Sequence, residues 1–210
     1  MEVKIEIPQA TLLGNLTIPL EAAGLVLFAH GSGSSRLSPR NQFVARYLEQ
    51  KGLGTLLFDL LTAEEEEVDD QTRELRFDIP FLVKRLLAAT DWAMKKSSLP
   101  ICYFGASTGA AAALVAAAEK GSRIKAVVSR GGRPDLAREA LSKVASPTLL
   151  IVGGFDIGVI ELNESAFANL NCLKQLEIVP GATHLFEEKG ALEIVAKLAA
   201  DWFLSHCRKK

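Results

Sequence analysis

The chain has 210 residues, 49% of them hydrophobic and 23% charged, with 24 basic residues against 25 acidic ones. This length is enough for one domain with a full core, and we predict a single domain over residues 1–210. The balanced charge gives no indication of a nucleic acid or a membrane surface as partner. No apolar run is long enough to span a membrane.

The cysteines and the N-terminal residues indicate in which cellular compartment the protein is expected. Cys102, Cys172 and Cys207 are an odd and widely spaced set, which argues against a disulfide framework and against a zinc site. The N-terminus lacks the basic and then apolar pattern of a signal peptide. We therefore expect reduced cysteines, no bound metal and a cytoplasmic protein. The oligomeric state stays unknown.

The apolar pattern alternates along the chain between short strand-like runs and longer helix-like runs. Residues 1–20 predict an N-terminal β-hairpin, and a catalytic core is expected over residues 24–210. The predicted core strands are 25–29, 55–59, 101–104, 124–128, 148–152 and 175–179. The main helices predicted between and after them are 39–51, 80–96, the segment after Ser107, and 188–206.

This alternation predicts an α/β fold with a mostly parallel, doubly wound sheet and helices on both faces. The segment between residues 128 and 147 is too short for a cap domain. The acidic residues 62–74 are predicted to be a solvated loop. A mobile cover over the site is the alternative for this segment.

The segment Gly105–Gly109 matches the pattern G-x-S-x-G, in which a serine occupies a sharp turn between a strand and a helix. The residues two before and two after the serine must be small, so that strand and helix approach closely. Since Ser107 follows a predicted strand and precedes a predicted helix, we predict that it is a nucleophile. The alternative is a glycine-rich turn with an incidental serine.

A serine nucleophile needs a general base and a group that orients the base. In this type of fold the acid and then the histidine follow the serine in the chain. His184 lies between the last predicted strand and the last helix, and Asp156 follows the strand before that. Asp156 alone could be a turn or capping residue, and Glu161 is the nearest substitute acid. His206 is expected at the surface.

The oxyanion of an acyl transfer needs backbone N–H donors. We predict Thr108 as one donor, at the start of the helix, and Ser32 as the other, with Gly31 as second choice. The glycine- and serine-rich loop at residues 30–35 carries no Walker-type lysine, so a phosphate-binding loop is disfavoured.

Four side chains, His30, Ser107, Asp156 and His184, each follow a predicted strand. The carboxyl ends of parallel strands meet at one edge of a sheet, so one active site accounts for all four. The residues therefore predict a serine hydrolase that needs no cofactor. An acyltransferase with the same triad and a non-catalytic binding module remain alternatives.

Several positively charged or titratable residues lie near this edge and are candidates for binding a substrate carboxylate or phosphate. The alternative is that the arginines form ion pairs that brace loops, for example with Asp78 or Asp135. The candidate substrate-binding residues are Arg130, Arg133, Arg36 and His30.

From about residue 24 onward the chain resembles the α/β-hydrolase superfamily, in particular its dienelactone hydrolase-like branch. The resemblance rests on Gly105–Gly109 and on four further segments: 30–41, 76–79, 129–135 and 159–163. It implies hydrolysis of a small ester or lactone. Typical dienelactone hydrolases carry a cysteine nucleophile, whereas this chain has Ser107, so the resemblance implies the triad but not the dienelactone substrate. Members are sometimes fused to phosphoribosyltransferase domains, and no such second domain is expected here.

Overall fold

A computed structural model describes residues 1–8 and 10–207. Within them, eight strands form one sheet in the order β1-β2-β4-β3-β5-β6-β7-β8. Strands β3 to β8 run parallel, whereas β2 pairs antiparallel with both β1 and β4. The strands are β1 (Glu2–Ile7), β2 (Ala10–Thr17), β3 (Leu25–Ala29), β4 (Gly54–Phe58), β5 (Ile101–Ala106), β6 (Ile124–Arg130), β7 (Thr148–Gly153) and β8 (Lys174–Val179).

Helices cover both faces of this sheet. The helices are α1 (Pro39–Gln50), α2 (Ala63–Thr72), α3 (Ile79–Lys96), α4 (Thr108–Lys120), α5 (Ile157–Asn169) and α6 (Ala191–His206). The apolar faces of α1 and α6 pack on one side, and those of α3, α4 and α5 pack on the other. Strands β3, β4, β5 and β7 are buried at every position. Their continuous apolar runs are the pattern of strands that are covered on both faces.

The predicted fold class is confirmed, since the sheet is mostly parallel and helices cover both of its faces. Strands β1 and β2 pair as an antiparallel hairpin. Between β6 and β7, the described chain contains a kinked 3₁₀ segment, Pro134–Lys143, and no cap domain. The carboxyl ends of β3, β5, β6 and β7 therefore meet at an edge that no inserted domain covers.

The prediction of a loop over residues 62–74 was wrong, because this segment contains α2. Thr62 and Glu65 form a capping box in which each side chain accepts a hydrogen bond from the other's backbone N–H. Acidic residues in the first turn are also favoured by the helix dipole. The spacing T-x-x-E was the signal that could have revealed this helix.

The expectation of reduced cysteines was also wrong for two of them. A disulfide joins Cys102, at the start of β5, to Cys207, which follows α6. Both are fully buried, and Cys172 is free. Among the described helices, none combines the length and the apolar character needed to cross a membrane. The cytoplasmic location stays a prediction.

Candidate active site

Ser107 lies at the turn between β5 and α4, where its backbone has φ 50° and ψ −122°. A non-glycine residue with this conformation is strained, and such strain persists only where the surroundings enforce it. A Cβ atom added to Gly105 would lie 2.5 Å from Cα of Ala110, and one added to Gly109 would lie 2.1 Å from the carbonyl oxygen of Ala29. The two glycines are therefore required by close packing, as the motif predicts.

The loop after β3 lies directly against this turn. A Cβ atom on Gly31 would come within 2.9 Å of Cβ of Ser107. Gly31, Ser32 and Thr108 line the same cavity, which has room of about 20 Å³, enough for a water molecule. Thr108 is the first residue of α4, so its N–H has no acceptor within the helix. The three predicted oxyanion donors thus lie beside Ser107.

His184 and Asp156 are brought together by the loops after β8 and β7. Nδ1 of His184 donates a hydrogen bond to Oδ2 of Asp156 over 2.6 Å. Their side chains are 38% and 17% exposed, so the imidazole faces solvent more than its partner does. A Cβ atom on Gly153 would lie 2.5 Å from the carbonyl oxygen of Ala182. The absence of a side chain at Gly153 is what lets the two loops approach.

Gly131 keeps the histidine loop close to the end of β6. A Cβ atom there would lie 3.0 Å from the carbonyl oxygen of His184 and 3.5 Å from its Nδ1. Among the described residues, no hydrogen bond joins Oγ of Ser107 to the His184 ring. Such catalytic hydrogen bonds are often long without substrate and shorten in the complex.

His30 does not lie free to meet a substrate, contrary to its place among the candidate binding residues. Its Nε2 accepts the backbone N–H of Leu60 over 3.0 Å, and its Nδ1 donates to the carbonyl oxygen of Gly31 over 3.0 Å. Burial lowers the pKa of this imidazole because the charged form loses its hydration. His30 therefore holds the loop after β3 in place, in its neutral form.

Two of the three candidate arginines are held by carboxylates. Arg36 donates to Asp59 with both its backbone N–H and its guanidinium. Arg133 forms a two-pronged ion pair with Asp135 over 2.8 and 2.9 Å, which raises the pKa of Arg133 through hydrogen bonding. These are the bracing ion pairs considered as the alternative, and Asp59 was missed as a partner. The sequence signal for Asp59 was its position directly after a buried strand.

Arg130 ends β6 and has a different environment. It is 6% exposed, and its guanidinium lies 5.9 Å from the centre of the Phe186 ring. Its hydrogen-bond acceptor is Oδ1 of Asn41, at 3.4 Å. Phe186 lies two residues after His184 and has a strained backbone conformation, with φ 56°. The sequence contained no signal for this strained conformation.

Helix α2 borders the cavity beside Ser107, with Glu66 and Asp69 among the lining residues. Arg76 holds this helix by hydrogen bonds to Asp69 and Asp70. Burial raises the pKa of Asp69, but the hydrogen bonds and charge of Arg76 outweigh it, so the pKa lies below its ordinary value. The acidic segment therefore borders this cavity as a helix that Arg76 holds in place.

The remaining candidates lie away from this arrangement. The His206 ring contacts the Trp202 ring edge to face, with ring centres 4.5 Å apart, and Glu161 is an exposed residue of α5. Across residues 1–8 and 10–207, no three His, Cys, Asp or Glu side chains are grouped as a metal site.

Residues 22–197 match the family model described as an alpha/beta hydrolase domain. The chain belongs to the α/β-hydrolase family. The family assignment agrees with the parallel sheet and with the strained turn at Ser107. It also confirms the resemblance seen in the sequence, since a solved relative carries the name dienelactone hydrolase. That protein, from Anabaena variabilis, is 58% identical, covers 99% of this chain and 98% of its own, and superposes with a TM-score of 0.97.

A Mycobacterium tuberculosis protein is 55% identical over 208 residues, and its name assigns it provisionally to the phosphoribosyl transferases. The match covers 98% of this chain but 46% of that protein. This chain thus spans about half the length of the curated relatives it matches. Est1E from Butyrivibrio proteoclasticus is 19% identical and covers 97% of this chain and 98% of its own with a TM-score of 0.81, which is a likeness of fold.

Proposed function

We propose that this protein is a serine hydrolase that cleaves an ester or lactone bond of a small substrate through an acyl-enzyme intermediate. The observation that carries the proposal is the 2.6 Å hydrogen bond between His184 and Asp156, beside a strained serine at the same edge of the sheet. A base oriented by an acid next to a serine is the arrangement that activates a hydroxyl group.

In the first half of the proposed reaction, Nε2 of His184 takes the proton of the Ser107 hydroxyl group as its oxygen attacks the substrate carbonyl. Asp156 accepts the Nδ1 proton throughout, which keeps Nε2 available as the acceptor and stabilises the imidazolium. The imidazolium then protonates the leaving oxygen, and the acyl group stays on Ser107.

The negative charge that develops on the carbonyl oxygen would be met by the N–H groups of Thr108 and of Ser32 or Gly31. Donors that are already in place need no reorganisation as the charge forms, and each typically contributes about 10²–10³ in rate. In the second half, water gives its proton to His184 and attacks the acyl carbonyl. The imidazolium of His184 then returns this proton to Oγ of Ser107 as the acyl–oxygen bond breaks, and the acid product leaves.

The uncovered edge at Ser107 supports a small substrate. The cavity lined by Gly31, Ser32 and Thr108 has room of about 20 Å³, which suits a water molecule or a single oxygen and not a whole acyl chain. No cap domain lies between β6 and β7 of the described chain, so a long acyl chain has no enclosed channel. The name of the Anabaena relative supports a lactone as one substrate class.

The proposal is tested with short p-nitrophenyl esters and a fluorophosphonate probe. Wild-type protein should hydrolyse the esters and be labelled on Ser107, and Ser107→Ala should remove both signals. Loss of a triad serine costs on the order of 10⁶ in kcat. The control is Ser122→Ala, since Ser122 is exposed and distant in sequence from the turn.

A Ser107→Ala variant that retains substantial ester hydrolysis would exclude Ser107 as the nucleophile. A well-folded wild-type protein that the probe does not label would favour the non-catalytic binding module instead. Adding an alcohol and analysing the products separates hydrolysis from acyl transfer, because a transferase would form the new ester in preference to the free acid.

A further inference from the structure

Arg130 is a buried cation without a carboxylate partner. Two arginines of the described chain are more than nine-tenths buried: Arg85, at 8% exposure, and Arg130, at 6%. Arg85 donates to Glu65, whereas the hydrogen bond of Arg130 goes to a neutral amide oxygen, that of Asn41. Its Nε donor is buried and has no acceptor.

The positive charge of Arg40 makes the position of Arg130 less favourable still. Burial and the positive charge of Arg40 lower the pKa of Arg130 to about 10. A buried cation normally pairs with an anion because desolvation of an unpaired charge is expensive. The other arginines near the site follow this rule, as the pairs of Arg36 with Asp59 and of Arg133 with Asp135 demonstrate.

Arg40 contributes donors at the same place. It is the second residue of α1, and its Nε is also buried without an acceptor. One of its terminal nitrogens contacts Glu187 at 3.1 Å, and a third of the side chain is exposed. The first turn of α1 contains no acidic residue, so the positive end of the helix dipole is not compensated there. Arg40 is thus a second cation whose charge acts on Arg130, and it is partly exposed to solvent.

We propose that Arg130 and Arg40, which lies at the start of α1, form a binding site for a small oxyanion, either a carboxylate or a phosphate group. Two guanidinium groups suit the several acceptor oxygens of such a group. The bound anion would supply the negative charge that Arg130 lacks.

The site adjoins the proposed active site. The carbonyl oxygen of Arg130 accepts the N–H of Ser107 over 3.3 Å, and its guanidinium packs near Phe186, two residues beyond His184. The oxyanion could therefore be an acidic group on the substrate or a free ion. If the oxyanion is an acidic group of the substrate, this inference rests on the proposed function. If it is a free ion, the inference is independent of that function.

Binding of a free ion is tested with inorganic phosphate, by thermal unfolding and by calorimetry at constant ionic strength. Phosphate should raise the Tm of the wild type and of Ser107→Ala equally, since neither measurement requires catalysis. The rise should be lost in Arg40→Gln and in Arg130→Met. Arg46→Gln, on the exposed side of the same helix, is the control and should respond as the wild type does.

Binding of an acidic substrate group is tested by comparing the hydrolysis of p-nitrophenyl butyrate with that of mono-p-nitrophenyl succinate. The succinate ester carries a carboxylate on an acyl chain of the same length. The wild type should prefer the succinate ester, and Arg40→Gln should reduce this preference in kcat/KM by about tenfold or more. The change should fall mainly on KM, and Arg46→Gln should keep both the wild-type hydrolysis of the butyrate ester and the wild-type preference for the succinate ester.

Phosphate binding without preference for the acidic ester would assign the site to a free ion. Preference for the acidic ester that depends on Arg40 would assign it to the substrate, with or without phosphate binding. If neither is seen, the proposal is overturned, and a lower Tm of Arg130→Met than of the wild type in phosphate-free buffer would then assign Arg130 a structural role. Phosphate binding by a protein that hydrolyses no ester would instead reject the proposed function and leave this site standing.

Discussion

Nδ1 of His184 lies 2.6 Å from Oδ2 of Asp156, although 28 residues separate the two in the chain. The contact depends on two parallel strands, β7 and β8, that end at the same edge and pair in register up to Gly153 and Val179. Backbone hydrogen bonds from Gly154 to Val179 and from Phe155 to Ala182 then join the two loops. The orientation of the imidazole is therefore set by the sheet.

We expect Asp156→Asn to reduce kcat by about 10⁴ while leaving the fold intact, as the equivalent change does in serine proteases with the same triad. An asparagine amide in this place can donate to the ring and stabilise the wrong tautomer. The matched control is Glu161→Gln, an exposed residue of α5, which should keep wild-type kcat. A loss in Glu161→Gln with none in Asp156→Asn would identify the other acid as the partner of His184. Steady-state hydrolysis of a short p-nitrophenyl ester is the measurement.

Gly109→Ala should prevent the turn at Ser107 from forming, because the new Cβ would lie 2.1 Å from the carbonyl oxygen of Ala29 and 2.4 Å from that of His30. We expect little folded protein or a strongly reduced Tm. Gly158→Ala is the matched control, since its Cβ meets nothing within 4 Å. It lies in α5, where alanine is favoured over glycine by about 1 kcal/mol. A Gly109→Ala protein with the wild-type Tm would contradict the close packing described here.

Cys207→Ser should lower the free energy of unfolding, because the disulfide to Cys102 closes a loop with a sequence separation of 105. The chain-entropy model gives about 4.7 kcal/mol for a loop of about 100 residues, as an upper guide. Cys172→Ser removes the free thiol and should have little effect. Urea unfolding with and without a reductant measures the difference. Three titratable thiols in protein denatured without reductant would show that the bond does not form.

His30 should make stability depend on pH. Burial lowers the pKa of its imidazole below the ordinary value of 6.5, so the unfolded chain binds the proton more readily than the folded one. The contribution of neutral His30 to the free energy of unfolding is fully present above pH 6.5, and it is lost as the pH falls through the lowered pKa. In His30→Gln the slope of Tm against pH below 6.5 should be smaller. The pKa of His206 is also lowered by burial, so His206→Gln serves to separate the two contributions.

The identity and order of the candidate triad could be predicted from the sequence because local rules determine them. A continuous apolar run such as Leu25–Ala29 indicates a strand that is covered on both faces, and small residues around Ser107 indicate a strained turn. Since parallel strands end together, the positions of Asp156 and His184 after successive strands were enough to place them at one edge.

The local rules were insufficient where partners are distant in the chain. The role of His30 depends on a hydrogen bond from Leu60, and the pairing of Cys102 with Cys207 depends on where α6 ends relative to β5. No periodicity in the sequence contains that information, because both contacts are set by how helices pack against the sheet.

The sequence by itself determined the family, the nucleophile motif and the order of the proposed catalytic residues, since these follow from spacing and from the apolar pattern. The tertiary structure decided which charged residues are neutralised. Arg36 and Arg133 meet carboxylates, whereas Arg130 is buried beside Arg40 and meets none. The physical reason is that the energy of a charge depends on its burial and on its neighbours in space, and the packing of α1 against the end of β6 sets both for Arg130.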